Sequence, residues 1–105
     1  MEAKVRYKIK VHKEVTTQDS RHFDEKTRQK IKAKIYELLS VAPDQVGAPL
    51  RFELKNYRKL VIFDNYRIVY RIEKEEVLVF ILHVGIRRDS EVYEEALRRL
   101  RHHDK

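Results

Sequence analysis

The chain of 105 residues carries 24 lysines and arginines against 17 aspartates and glutamates, a formal charge of +7, with 42% hydrophobic and 39% charged residues. This length fits one domain spanning residues 1–105, with a small but adequate core. The absence of cysteine excludes disulfides, thiolate catalysis and sulfur-ligated zinc, and two glycines leave no room for a phosphate-cradling glycine-rich loop.

No run of 18 apolar residues is present, so no membrane span is expected. Met1 to Arg6 alternates apolar and charged residues without the apolar core of a signal peptide, and a cytoplasmic protein is expected. The positive charge favours polyanionic partners, although a surface rich in lysine, arginine and glutamate is also common on solvated faces. Residues 1–50 hold eight lysines and three arginines, whereas residues 51–105 hold four and nine. Arginine grips phosphate through a bidentate fork and lysine does not, so the second half is the better place for phosphate chemistry.

Val5 to His12 alternates Val5, Tyr7, Ile9 and Val11 with Arg6, Lys8, Lys10 and His12, the period of a strand with one wet, basic face. From Lys13 to Phe23 large apolar residues are sparse, and a short helix is expected. Asp24 is placed to cap a longer helix, Glu25 to Ser40, in which Ile31, Ile35, Leu38 and Leu39 recur at helical spacing. Its other face carries Lys26, Arg28, Lys30, Lys32 and Lys34. The main loop follows, Ala42 to Pro49, with both prolines and Gly47.

Leu50 to Leu54 and Tyr57 to Phe63 read as strands joined at Lys55-Asn56, and Asp64-Asn65 as a hairpin turn of residues that tolerate left-handed backbone. Strands Tyr66 to Ile72 and Val77 to Val84, separated by Glu73-Lys74-Glu75-Glu76, complete a meander. Tyr66, Ile68, Tyr70 and Ile72 share one face, and Arg67, Val69 and Arg71 the other. Gly85 permits a sharp turn, and Arg87 follows within reach of the same sheet edge. Arg67 and Arg87 are therefore expected to converge on one phosphate.

His83 alternates onto the face of Val79 and Ile81, where a satisfied core histidine is expected, yet it stands close enough to Gly85 and Arg87 to reach the site. Ser90 is placed to cap a final helix whose apolar side is Val92, Ala96, Leu97 and Leu100. His12, His22, His102 and His103 have no metal-ligand spacing, so no metal site is expected. The element order predicts an α+β fold: two N-terminal helices packed on an antiparallel sheet of about four strands, plus a C-terminal helix. The paired helices would cover one face. The other face, partly open, would be lined by Arg67, Arg71 and the projections of Arg58 and Lys59.

Four segments resemble toxins of the RelE/ParE superfamily from prokaryotic type II toxin–antitoxin pairs. They are Gly47-Ala48-Pro49-Leu50, Tyr57-Arg58-Lys59-Leu60, Tyr66-Arg67-Ile68-Val69-Tyr70-Arg71 and Val84-Gly85-Ile86-Arg87-Arg88-Asp89-Ser90-Glu91-Val92-Tyr93. The resemblance spans nearly the whole chain, and the last segment is similar to the RelE branch. It implies a RelE-like fold and a metal-independent endoribonuclease without cofactor, an mRNA interferase that cuts messenger RNA on the ribosome. The implied partners are a RelB-like antitoxin, the ribosome and mRNA.

By that resemblance Arg67 and Arg87 occupy the family's phosphate-binding positions, Tyr93 its C-terminal tyrosine, and Arg58 a basic position connected with proton transfer. Arg71, Arg88 and Lys59 are candidate RNA-binding residues beside them. The chain departs from the pattern at Leu60, where a second basic residue is expected, and at Val61, where an arginine often stands. This leaves the general base open. The alternative is a non-enzymatic module of the same fold, either a ParE-like gyrase inhibitor or an inactive RelE homologue.

Cleavage of RNA by its own 2′-hydroxyl needs a proton acceptor, a proton donor for the leaving 5′ oxygen, and cations around the pentavalent phosphate. Holding the attacking oxygen in line supplies much of the acceleration, and each preorganised donor contributes about 3 kcal/mol. Arg67 and Arg87 suit the electrostatic task. Arg58 stays protonated and so stabilises charge better than it accepts a proton. Tyr93 would stack on a base or supply a proton. An antitoxin would lay an acidic amphipathic helix over the region of the last helix and mask the cationic groove.

Overall fold

A computed structural model describes residues 6–86 and 89–103. Asp24 lies in extended backbone and its side chain accepts the Thr27 N–H at 2.8 Å, which satisfies one of the free donors at a helix start. The helix it begins, α2 (Glu25–Leu39), buries Ile31, Ile35 and Leu39 on one stripe. Before it lie strand β1 (Lys8–Val11), helix α1 (Lys13–Thr17) and a 3-10 turn (Asp19–His22). After it come β2 (Ala48–Pro49), a 3-10 turn (Phe52–Leu54), β3 (Arg58–Ile62), β4 (Tyr66–Glu73), β5 (Leu78–Gly85) and helix α3 (Asp89–His103).

The fold is α+β as expected, but the sheet has five strands in the order β1-β5-β4-β3-β2, and β1 runs parallel to β5. Alternation reveals a strand without revealing its direction, and no short turn ties β1 to its neighbour. The expected strand Leu50 to Leu54 is absent. Phe52 has φ 58° and is 87% exposed, a backbone that breaks an extended run, while Leu50, Leu54 and Tyr57 turn inward and plug the sheet. Left-handed residues join β3 to β4 as foreseen, but they are Phe63 (φ 52°) and Asp64 (φ 64°), one position earlier than Asp64-Asn65. Helix α3 begins at Asp89, so Ser90 lies inside its first turn instead of capping it.

Each sheet face carries its own core. On one, Ile31, Ile35 and Leu39 of α2 pack against Leu60, Ile62, Ile68, Tyr70, Val79, Ile81 and Val84. On the other, Val92 and Ala96 of α3 pack against Val69, Phe80 and Leu82, with Leu97 and Leu100 at the margin. The alternation expected along β4 is therefore observed. Ile68 and Tyr70 face α2, and Val69 faces α3.

Candidate nucleic-acid interface

The connection between β3 and β4 decides which cations meet. A two-residue turn at Asp64-Asn65 would have paired Ile62 with Arg67 and set Arg58 on the face of Arg67. The observed three-residue connection pairs Ile62 with Tyr66, Val61 with Arg67, and Lys59 with Val69. Directly paired residues share a face, and a shift of one residue exchanges the faces. Lys59, Val61 and Arg67 consequently stand on the α3 side. There the Lys59 ammonium lies 5.9 Å from the ring centroid of Tyr93, which is 36% exposed on α3. The Arg67 guanidinium is half-buried and donates to the Asn65 carbonyl at 3.0 Å.

Arg58 pairs with Tyr70 and belongs to the α2 side. Its guanidinium donates to the carbonyls of Val46 (2.9 Å) and Gly47 (3.2 Å), where the Tyr70 hydroxyl also reaches Pro43 and Val46. Burial pushes the Tyr70 phenol up, against the opposing pull of Arg58. Arg58 thus fastens the Ala42–Pro49 loop and is not brought beside Arg67, which corrects the expected lining of the open face. Leu60 is buried in the α2 core, so a cation there would face hydrocarbon. Val61 is exposed on the Arg67 side.

Arg71 is on the expected face. Its guanidinium pairs with Glu73, donates to the Tyr57 hydroxyl at 2.7 Å and stacks 4.8 Å from the Phe80 ring centroid. Its charge is therefore shared with a carboxylate. Arg87 and Arg88, and with them the expected convergence of Arg67 and Arg87, lie outside the described residues. Gly85, where β5 ends, stands directly across from Arg67.

A buried polar cluster on the α3 side escaped the sequence reading. The β4–β5 ladder pairs Val69 with His83 but Tyr70 with Ile81, leaving Leu82 as the extra residue of a bulge. A bulge sets two neighbouring side chains on one face, so His83 joins Leu82 on the α3 side and not Val79 and Ile81 as alternation predicted. On the outer edge of β5, the last pairing with β1 is Val11 to Ile81. Beyond it the Asp19 carboxylate takes the place of a strand acceptor, receiving the Val84 N–H at 2.9 Å.

The same carboxylate meets His83 Nδ1 at 3.0 Å and is clasped bidentately by Arg99 at 2.7 and 2.6 Å. Arg99, 1% exposed, also donates to Glu95 (2.8 Å) and to the Leu82 carbonyl (3.1 Å). Burial by itself would raise the Asp19 carboxyl, but the hydrogen bonds from His83 and Arg99 prevail and hold it below 3.8. The visible signal was Arg99 itself, a charge three and seven residues past Ala96 and Val92 on the apolar stripe of α3. No group of three or more metal-ligating side chains occurs among the described residues.

Residues 7–91 match the sequence model of a family described as the ParE toxin of the type II toxin–antitoxin system parDE. The chain is 37% identical over 73 residues to the mRNA interferase toxin RelE of Escherichia coli K12, covering 70% of this chain and 76% of that protein. Among solved structures, it superposes on the toxin–antitoxin complex RelBE2 of Mycobacterium tuberculosis with TM-score 0.73 and 28% identity, over 85% of this chain and all of that one. It also superposes on a variant of E. coli RelE in complex with an antitoxin RelB peptide, with TM-score 0.62 and 28% identity, over 87% and 94% of the two chains. With this α+β fold, Lys59 and Arg67 on the side of its last helix, and matches to these toxins over most of its length, the chain belongs to the RelE/ParE superfamily of type II toxin–antitoxin toxins.

Proposed function

We propose that this toxin is an endoribonuclease that cuts mRNA on the ribosome by 2′-hydroxyl attack, without metal or cofactor, and is silenced by a RelB-like antitoxin. The observation that carries the reading is the grouping of Arg67, Lys59 and Tyr93 on the face under α3, in a chain whose E. coli relative bears the name mRNA interferase. Arg67, with Arg87 arriving after β5, neutralises the phosphate as it becomes pentavalent. Tyr93, with one edge open to solvent and a cation near its ring, offers a stacking surface for a displaced base, a contact worth about 1–3 kcal/mol. Lys59 adds charge to the same face, whereas Arg58 acts at a distance by holding the Ala42–Pro49 loop against Tyr70.

The test is translation of a defined message in a reconstituted system with 5′ ends mapped. The parent is expected to cut within the ribosome-bound codons, and Arg67→Ala or Arg87→Ala to lower the rate by about 10²- to 10³-fold. Tyr93→Ala is expected to lower it less. Variants that cut as fast as the parent would remove the nuclease assignment. A second reading, inhibition of gyrase by a non-enzymatic module, is favoured by the match to the ParE model and by the apolar Leu60 in the core. Loss of supercoiling activity with an intact message would establish it instead.

A further inference from the structure

We propose that His83 is the proton acceptor for the attacking 2′-hydroxyl, an inference that rests on the nuclease reading above. The bulge at Leu82 turns the imidazole onto the side of the sheet that bears Arg67. Its Nδ1 faces the Asp19 carboxylate at 3.0 Å, and an ionised carboxylate only accepts hydrogen bonds. The proton of the neutral ring therefore sits on Nδ1, and Nε2 keeps its lone pair. Arg99 fixes the carboxylate from behind with two hydrogen bonds, so the ring cannot swing away without losing a buried hydrogen bond to a fixed partner.

Nε2 stands against Gly85. A Cβ added there would lie 2.8 Å from Nε2 and 3.0 Å from a Val92 methyl, so the ring holds this position only because residue 85 has no side chain. Gly85 pairs directly with Arg67. Paired residues share a face, so Arg67 stands on the same side of the sheet, across from the glycine that Nε2 touches. His83, Gly85 and Val92 also line a cleft of about 320 Å³ between the Asp19–His22 turn and α3. Nothing in the phosphate-binding set uses this histidine as a base, and Lys59 of that set is turned to the Tyr93 ring. Arginine cannot serve, and the position of the second family cation is Leu60, in the core.

The step balances simply. The 2′-hydroxyl proton passes to Nε2, the 2′ oxygen bonds to phosphorus, and the bond from phosphorus to the 5′ oxygen breaks. The products are a 2′,3′-cyclic phosphate and a 5′ oxygen protonated by solvent, after which the imidazolium releases its proton to water. Several charged groups surround the ring. Asp19 and His22 of the 3-10 turn and Glu91, Glu95 and Arg99 of α3 line the same cleft, and Arg67 of β4 stands across from Gly85. Glu14 of α1 approaches Arg99 from behind. Asp19 touches the ring itself.

The test compares the parent with His83→Asn in single-turnover cleavage of ribosome-bound message across pH 5–8, where histidine changes charge. Asparagine places an N–H where Nδ1 stands, so the bond to Asp19 survives and only the proton-accepting nitrogen is lost. The parent rate should fall on the acid side as one group protonates. His83→Asn should melt with the parent, cut about 10²- to 10⁴-fold more slowly, and lose the acid limb. A folded variant within about threefold of the parent, with the same pH profile, would overturn the inference and leave the nuclease reading standing. If the variant fails to fold, the parent profile decides, since a rate independent of pH over that range also overturns it. A parent that leaves the message uncut overturns both.

Discussion

On the α2 side, Ile31, Ile35 and Leu39 meet Ile68, Ile81 and Val84 through hydrocarbon. On the α3 side, Val92 and Ala96 meet Val69 and Leu82 in the same manner, yet beside them a fully buried arginine spans the helix, β5 and the Asp19–His22 turn. The first contact is held by area, which is non-directional and tolerates repacking of similar volume. The second is held by directional bonds between charges that water no longer reaches, so losing one partner exposes the full cost of burying the other. The face held by area packs α2, and the one held by charge carries the candidate site. A fixed guanidinium and carboxylate orient a histidine in a way that hydrocarbon cannot.

Removing one partner of the charged anchor should give the largest effect. Arg99→Ala leaves Asp19 buried without its main cation and is expected to lose about 3–5 kcal/mol in urea unfolding. A loss near 1 kcal/mol would mean that the α3 side is held mainly by area after all. Acid sharpens the same contrast. The folded-state pKa of Asp19 is lowered, so its contribution is fully present above the unfolded value near 3.8 and is lost as pH falls through the depressed folded value. Arg99→Ala removes part of that lowering. Its acid-unfolding midpoint is therefore expected at higher pH than the parent's, and coincident midpoints by circular dichroism would contradict the assignment. The smallest change belongs to the other face, where Ile35→Val is expected to cost about 0.5–1.5 kcal/mol with no shift of the acid midpoint.

Much of the hydrocarbon side was legible before any coordinates. The stripe of Ile31, Ile35 and Leu39, the Asp24 cap, and the division of β4 into Ile68 and Tyr70 against Arg67 and Val69 all follow from periods of 3.6 and 2, which a few neighbouring residues reveal. The candidate site was legible in part. Arg67 was placed on the correct face, but Arg58 and Lys59 were both expected to line it, and only Lys59 does. The difference came from one extra residue in the β3–β4 connection, enough to exchange the two faces. His83 was misplaced for a related reason, because a bulge resets the alternation and leaves no local mark in the sequence.

The amino-acid order by itself determined the helices, the strand faces up to the first irregularity, the cationic bias of the second half and the family likeness. Only the tertiary structure decided that β1 runs parallel beside β5, that Lys59 rather than Arg58 shares the side of Arg67, and that Asp19 meets an arginine 80 residues away to hold His83. Periodicity is a property of consecutive residues and can be read from them. Register, strand direction and ion pairing join residues far apart, and they are settled by loop length and by what each buried polar group must find as a partner when water is excluded.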